Sequence, residues 1–481
     1  MSAPCPPLWP VAALSPALGA KVQGVPRDVT SVSIDTRTLE PGALFFAIRG
    51  DARDGHDFVA AALEKSASAA VVDAAHAGAF PADAPLLVVD DVFLALNRLA
   101  INRRGAMQGP VVAITGSVGK TSTKEMLRVV LSRFGPMHAS IASYNNHWGV
   151  PLTLSRMPEA SRFGVFEIGM SNPFEIVPLA AMVRPHVAIV TTVEPVHLAQ
   201  FHTQAGIADA KGEIFSGLEP GGVAIINADN PFAARLASHA GASRAGRIIR
   251  FGSDKAADIR LVHIQLDPDV SNVSAEVFGV PVTYRLGAPG RHLAMNSLAV
   301  LAAAHVLGLD LALAALALQD FTTVEGRGTR SLRRIGEQDF TLIDESYNAN
   351  PSSMRAALAV AGTLPRGSRG RRIAVLGDML ELGNEGANLH AGLADAIIAQ
   401  DFDLVFACGP LMKHLWQALP GIRRGVYAAD SAGLEAALIE AVQPGDVVVV
   451  KGSSGSRMGQ LVSALKARYP EAGTLRDEQE I

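Results

Sequence analysis

The sequence predicts an α/β protein of three domains, and three observations carry that expectation. The chain has 481 residues, more than one ordinary core fills. Short, uninterrupted apolar runs recur from end to end, and helix-like stretches separate them, as in successive βαβ units. No internal repeat or low-complexity tract offers another architecture.

The first domain, residues 1–109, holds apolar runs at 43–48, 69–72 and 86–89 around an Ala-rich helical stretch at 58–66, which fits a small α/β module. The second, 110–326, opens with Val111-Val112-Ala113-Ile114, a glycine-rich turn and a helix-like pattern at 121–132. Its further runs at 164–168, 187–192 and 222–227 suit strands buried on both faces of a mainly parallel sheet. The longest apolar stretch, 297–318, is interrupted by His305, Gly308 and Asp310. A membrane span wants about 20 uninterrupted apolar residues, so two core-facing helices joined at Gly308 are expected instead. The third domain, 327–481, starts after Gly326-Arg327-Gly328. Its runs at 340–343, 373–376, 404–407 and 447–450 alternate with helices and predict a Rossmann-like sheet.

Composition excludes several classes. The 42 Lys+Arg against 46 Asp+Glu leave a formal charge of −4 with no block of like charges, so neither a nucleic-acid nor a membrane partner is expected. Cys5 and Cys408 cannot build a disulfide framework and suit a reducing compartment. Before Lys21 there is no basic segment, and Pro4, Pro6, Pro7, Pro10 and Pro16 would break the apolar helix of a secretory signal. A cytoplasmic monomer without a transmembrane segment is expected.

The strongest local signal is Thr115-Gly116-Ser117-Val118-Gly119-Lys120-Thr121-Ser122, set between a buried strand and a helix. There, glycines let backbone N–H groups turn inward, the helix N-terminus adds partial positive charge, and Lys120 reaches terminal phosphates. The Thr121 hydroxyl is the expected Mg²⁺ contact. The loop is shorter than the general P-loop pattern, because Ile114 stands five residues before Gly119. It predicts a P-loop ATPase domain at the centre of the chain. Phosphoryl transfer also needs metal ligands from neighbouring strand ends. Glu167 interrupts the buried run Val165-Phe166-Glu167-Ile168, where an unpaired carboxylate would be costly, so a metal or lysine partner is expected. His197, just beyond the run at 187–192, is the second candidate.

With these residues in place the chain resembles the Mur ligase family along nearly its whole length. The phosphate loop Thr115 to Thr121 matches the family form, and Glu167 and His197 match its Mg²⁺ ligands. Longer strings place it in one branch: Ser33-Ile34-Asp35-Thr36-Arg37 and Asp54-Gly55-His56, then Tyr144-Asn145-Asn146, Tyr347-Asn348-Ala349-Asn350-Pro351, Leu376 to Gly383, and Lys451-Gly452-Ser453. The resemblance implies that Ser33, Asp35, Thr36, Arg37, Asp54 and His56 bind a uridine nucleotide and sugar, and that Asn145, Asn146, Tyr347, Asn348 and Asn350 also contact substrate. It implies that Lys211 can be carbamylated by CO₂ to face a second Mg²⁺, and that Asn296 and Arg327 contact ATP. Two departures stand out. Leu293 follows His292 where relatives often have Asn, and Asp344-Glu345 stands where many have two aspartates, which leaves open which carboxylate meets the nucleotide.

The implied reaction is ATP-dependent: the terminal carboxylate of a UDP-N-acetylmuramoyl-tripeptide becomes an acyl-phosphate, and the amine of D-alanyl-D-alanine attacks it. Lys120, Glu167, His197 and Lys211 would carry the catalysis. A folylpolyglutamate-type ligase shares the loop and the chemistry but lacks the first-domain strings and Tyr347 to Pro351. A non-catalytic P-loop switch protein would need neither a carbamylated lysine nor a separate substrate domain.

Overall fold

The computed structural model describes residues 6–50, 53–141, 143–196 and 198–472. Three sheets follow one another along the chain, and in each the apolar runs read from the sequence are strands. The first sheet orders its five strands as Lys21–Gln23, Leu86–Val89, Ala69–Asp73, Ala43–Phe46 and Ser31–Ser33. Only the first pair is antiparallel. The parallel strands therefore end together, and the turns holding Asp35, Asp54 and Asp73 leave from that edge.

The central sheet has nine strands, in the order Val280–Leu286, Ser271–Val277, Ile259–Leu266, Arg247–Gly252, Val223–Asn227, Val187–Val190, Val111–Thr115, Phe163–Glu167 and Met137–Ala139. Val111–Thr115 lies between Val187–Val190 and Phe163–Glu167, with Ile114 opposite Glu167 and Thr115 opposite Val190. All three strands are buried throughout, as their unbroken apolar runs require. Their shared register brings the phosphate loop, Glu167 and the segment after Val190 to one edge.

The last three strands of the chain's central portion, Ile259–Leu266, Ser271–Val277 and Val280–Leu286, form antiparallel hairpins that the sequence reading did not anticipate. Ser271–Val277 alternates buried and half-buried positions along its length, because one face meets the core and the other meets solvent. Small and polar residues carry half of that alternation, so no apolar run announces it. The stretch at 297–318 is two helices, Arg291–Val306 and Leu311–Ala317, with Gly308 at φ 67° between them and the Asp310 carboxylate accepting the Leu313 N–H. Among the described residues no helix is long and apolar enough to cross a membrane.

The third sheet runs Thr329–Ile335, Gln338–Glu345, Val447–Lys451, Arg372–Gly377, Leu404–Cys408 and Arg424–Ala428, parallel after the first pair. Glu345 stands opposite Lys451 at the carboxyl ends of neighbouring strands. Ligands of open α/β sheets gather at such ends.

Candidate active site

The phosphate loop is shaped by two glycines that no other residue could replace in place. Gly116 has φ 145° and Gly119 φ 86°; a Cβ at the first would stand 1.9 Å from Thr191 Oγ1, and one at the second 2.7 Å from the Asn296 amide. Asn296 is thus buried against the back of the loop. The segment after Val190 braces the loop from its other side: Ser117 N–H donates to Thr192 O at 2.9 Å and Thr191 Oγ1 donates to Val118 O at 2.5 Å. Lys120 opens the helix Lys120–Ser132, and its Nζ donates to Gly116 O at 2.7 Å, curling over the loop.

Thr121 Oγ1 donates to Glu167 Oε2 at 2.9 Å, and Asn145 Nδ2 donates to Oε1 at 2.7 Å. Both carboxylate oxygens of this buried residue are therefore held by neutral donors, and of the metal or lysine partner expected from the sequence, no lysine bonds to it among the described residues. Lys120 and Lys211 lie near enough to interact with it electrostatically without bonding to it. Lys211 is itself 1% exposed. Burial, and then repulsion from Lys120, hold its ammonium well below the ordinary lysine range. Among the described residues no hydrogen bond or salt bridge satisfies it. His197 lies outside the described residues.

From the third domain, Lys451 Nζ donates to Glu345 Oε2 at 3.0 Å and to Asn348 O at 2.9 Å, fixing the turn that carries Tyr347 and Asn348. Of the Asp344–Glu345 pair, Glu345 lines the cavity, whereas Asp344 is buried and accepts from the Ser346 N–H and hydroxyl. The Arg327 guanidinium stacks 4.0 Å from the Tyr347 ring centroid and donates to Ser143 Oγ at 3.1 Å. Asn350 caps the helix Pro351–Thr363 through the Ser353 N–H.

These groups surround one cavity of about 730 Å³, lined by Ser117 to Lys120, Ser122, Asn145, Asn146, Glu167, Lys211, His292, Arg327, Glu345, Tyr347, Asn348, Asn350 and Lys451. Phe93 and Asn97, from the first domain's last helix, complete its wall. Thr115, with its hydroxyl buried at the end of the strand, stands behind the loop.

The first-domain residues form a second cluster. Asp35 and Arg37 share a salt bridge at 2.6 Å, with the Arg37 side chain 84% exposed, and Ser33 Oγ accepts the Asp35 N–H. Lys65 Nζ donates to Thr36 O. Asp54 accepts from the His56 N–H and sits 2.7 Å from His56 Nδ1; the His56 ring stacks on His76 at 3.9 Å. Loop 143–148 lies between the two clusters. Asn145 holds Glu167, Asn146 Oδ1 accepts the Gly149 N–H, and a Cβ at Gly50 would stand 3.1 Å from the Trp148 indole.

Sequence reasoning did not single out Glu194, Ser143 or Ser352, and it quoted Lys451 without giving it a role. The only available signal was position: Thr191-Thr192-Val193-Glu194 follows directly on a buried strand, where polar residues face whatever the sheet edge faces.

Three family models match the chain in order: Mur ligase family, catalytic domain, at residues 28–102; Mur ligase middle domain at 114–304; and Mur ligase, glutamate ligase domain, at 331–454. The chain is 35% identical over 456 residues to the UDP-N-acetylmuramoyl-tripeptide--D-alanyl-D-alanine ligase of Escherichia coli, covering 94% of this chain and 97% of that one. The chain belongs to the Mur ligase family. The ligase of the same name from a Synechocystis strain is 34% identical over 92% of this chain and 93% of its own. Among solved structures, a MurF from Acinetobacter baumannii superposes with a TM-score of 0.82 at 29% identity, covering 97% of this chain and 100% of that chain. The phosphate loop lies within the middle-domain match, and the three sheets are those of a three-domain Mur ligase.

Proposed function

We propose that this chain joins D-alanyl-D-alanine to the terminal carboxylate of UDP-N-acetylmuramoyl-tripeptide, with ATP converted to ADP and phosphate through an acyl-phosphate. The observation that carries this reading is the single cavity in which a phosphate loop, a buried Glu167 and a buried Lys211 meet the third domain's Glu345–Asn350 turn. The full-length likeness to ligases of that name supports the choice of substrates over a folate-type acceptor. The functional units proposed are 1–109 for the nucleotide-linked peptide, 110–326 for ATP, and 327–481 for the dipeptide and further nucleotide contacts.

A carboxylate is a poor electrophile because its leaving group would be oxide or hydroxide. Phosphorylation replaces that with phosphate, and the amine then attacks the acyl carbon as phosphate departs. The chain's part is positioning and charge neutralisation. Lys120 turns from Gly116 O to the β- and γ-phosphates, while the loop's N–H groups cradle them. Arg327, Asn296 and Glu345 border the rest of the nucleotide. Asn145 fixes Glu167, and Tyr347, Asn348 and Asn350 face the acceptor side. Closure of the third domain over the central one keeps water from the acyl-phosphate.

A magnesium site fits the residues present. The Thr121 hydroxyl and Glu167 carboxylate meet at 2.9 Å, an all-oxygen pair beside the phosphate loop, and His197 follows in the family pattern. Magnesium bound there would neutralise phosphate charge. A buried lysine whose pKa is lowered by desolvation and then by Lys120 is suited to add CO₂ through its neutral amine: the amine nitrogen bonds to carbon, a proton leaves, and an anionic carbamate results. Lys211 so modified would hold a second ion. We further propose that the protein acts as a monomer in the cytoplasm, in keeping with its two cysteines and balanced charge.

The decisive assay measures phosphate release and amide formation with tripeptide nucleotides that end in either meso-diaminopimelate or lysine, each with D-alanyl-D-alanine. Release that depends on both the nucleotide peptide and the dipeptide is expected with at least one of the pair. Turnover with a folate acceptor and none with either pair would overturn the reading.

A further inference from the structure

Glu194 does something that neither the phosphate loop nor the third domain does alone: it bonds to both. Its backbone N–H donates to Ser117 Oγ at 2.9 Å, and Ser117 Oγ donates to its carbonyl at 3.2 Å, so the residue is locked to the phosphate loop. Thr192 Oγ1 donates to its Oε1 at 3.1 Å, and Asn230 Nδ2 donates in turn to Thr192 Oγ1 at 3.0 Å, which aims the carboxylate. The other oxygen, Oε2, accepts from Ser352 Oγ of the third domain at 2.5 Å.

Ser352 is the second residue of the thirteen-residue helix Pro351–Thr363, which begins where the Tyr347–Pro351 string ends. Glu194 therefore places a negative charge at that helix's N-terminus, the end that favours anions, besides accepting a charge-assisted hydrogen bond. No other carboxylate bonds that turn to the central domain among the described residues. Other links between these two domains do not reach that turn through a carboxylate. Arg330 pairs with Asp269, Arg327 reaches Ser143 from the start of the third domain, and Ala199 N–H donates to Glu381 O.

We propose that Glu194 is a positioning residue that latches the third domain onto the phosphate loop, so that closure over the acyl-phosphate is registered at the loop that made it. This rests on the ligase reading above. Glu194 is not among the residues that line the cavity; its effect is to keep the Tyr347–Asn350 turn seated over it while the intermediate waits for its amine. Without the latch the third domain dwells open, and water competes for the acyl-phosphate.

The test compares Glu194→Ala, Ser352→Ala, the double variant and Glu194→Gln on the full chain. Each alanine variant is expected to lower amide formation about tenfold, the effect of one charge-assisted hydrogen bond, and to raise the ratio of ADP to amide product about two- to threefold over wild type. The double variant should be no worse than either single one, because both remove the same bond. Glu194→Gln, whose amide oxygen still accepts from Ser352, should recover at least about half of the lost rate. A merely structural role would lower ADP and amide together, leave their ratio unchanged and track the melting temperature; that result overturns the latch. Multiplicative losses in the double variant overturn it as well. Small-angle X-ray scattering with a non-hydrolysable ATP analogue reads the same latch without any acceptor: the alanine variants should stay more extended than wild type, and equal compaction would overturn the proposal. If wild type forms no amide with either tripeptide nucleotide, the ligase reading fails, and the scattering still decides whether the latch exists.

Discussion

The phosphate end of the cavity and the edge of the first sheet are both built at the carboxyl ends of parallel strands, yet they are held in opposite ways. At the phosphate end Glu167 and Lys211 are each 1% exposed, and Thr121 and Asn145 fix both carboxylate oxygens before any ligand arrives. At the first sheet's edge Arg37 stands 84% exposed and its salt bridge is to Asp35, two residues away in its own turn. Chemistry on a phosphoryl group requires charges already in place, because reorganising them during the reaction would add to the barrier. A docking edge that only retains one end of a long substrate can let a solvated arginine settle on arrival. The comparison predicts that substitutions at the first end abolish turnover, whereas substitutions at the second shift one substrate's KM.

The largest effect should follow from removing Lys120. Among the described residues its ammonium bonds to Gly116 O, within its own loop, so Lys120→Ala should fold normally while kcat falls at least roughly a thousandfold, the scale of losing a preorganised charge at a transferring phosphoryl group. Phosphate release at the wild-type rate from a variant with an unchanged melting temperature would break the contrast at its stronger end. Lys211→Ala should come next, with at least about a hundredfold loss that short carboxylic acids partly restore by refilling the anionic position. The proposed carbamate needs the neutral amine, which is lost as pH falls, so the wild-type rate should decline on the acid side and bicarbonate should offset the decline. Mass spectra of protein held in bicarbonate, read beside the rates, check this; full activity with an unmodified amine would remove the carbamate from the account.

What could be read in the sequence differs between the two ends for a physical reason. Short apolar runs of β-branched residues announce buried parallel strands, and a Gly-Lys-Thr turn after one of them announces its ligand, so the phosphate loop and the strand ending at Glu167 were legible. Partners that come from remote segments were not. Nothing local to Glu167 says that Asn145 will bond to it, and nothing local to Ser352 says that Glu194 will, since those distances are set by how sheets pack. The hairpins from Ile259 to Leu286 escaped for another reason: their inward positions include Ser271 and Ala275, so period-two alternation carries little hydropathy contrast. The first-domain strings were recognisable only through resemblance, because an exposed turn carries no burial pattern of its own. That is why their assignment needs kinetics.

Arg37→Ala supplies that kinetic test. Loss of one charge-assisted contact to a phosphate or carboxylate should raise the KM for the nucleotide-linked peptide about tenfold and leave the KM for ATP within error. If neither constant moves, Arg37 is a solvated residue of a small α/β domain. If both move, the two clusters are energetically joined through loop 143–148, and the division between a rigid end and a docking edge fails. Steady-state rates with each substrate varied in turn, on protein checked by circular dichroism, separate the outcomes.

The smallest effect concerns how the open edge holds itself together. The Asp54 carboxyl is held down to about 2, first by the His56 backbone N–H, then by the His56 ring, against the opposing cost of burial. Its ordinary value is 3.8, so the unfolded chain takes up a proton at a higher pH than the folded one does. The stabilisation is accordingly complete above about pH 4 and is lost as pH falls through about 2. Asp54→Asn keeps an oxygen to accept the His56 N–H but removes the charge, which at neutral pH should cost about 1 to 2 kcal/mol, the shift discounted for a side chain that water still reaches. Urea unfolding of both proteins at pH 7, 5, 4 and 3 should show a constant gap down to pH 5 that narrows below pH 4, because wild type is then losing the advantage the variant never had. A gap that persists unchanged at pH 3 would mean that the carboxylate's charge contributes nothing and that its geometry alone orders the turn before His56. The docking edge would then need no electrostatic preorganisation at all, which would widen its contrast with the phosphate end.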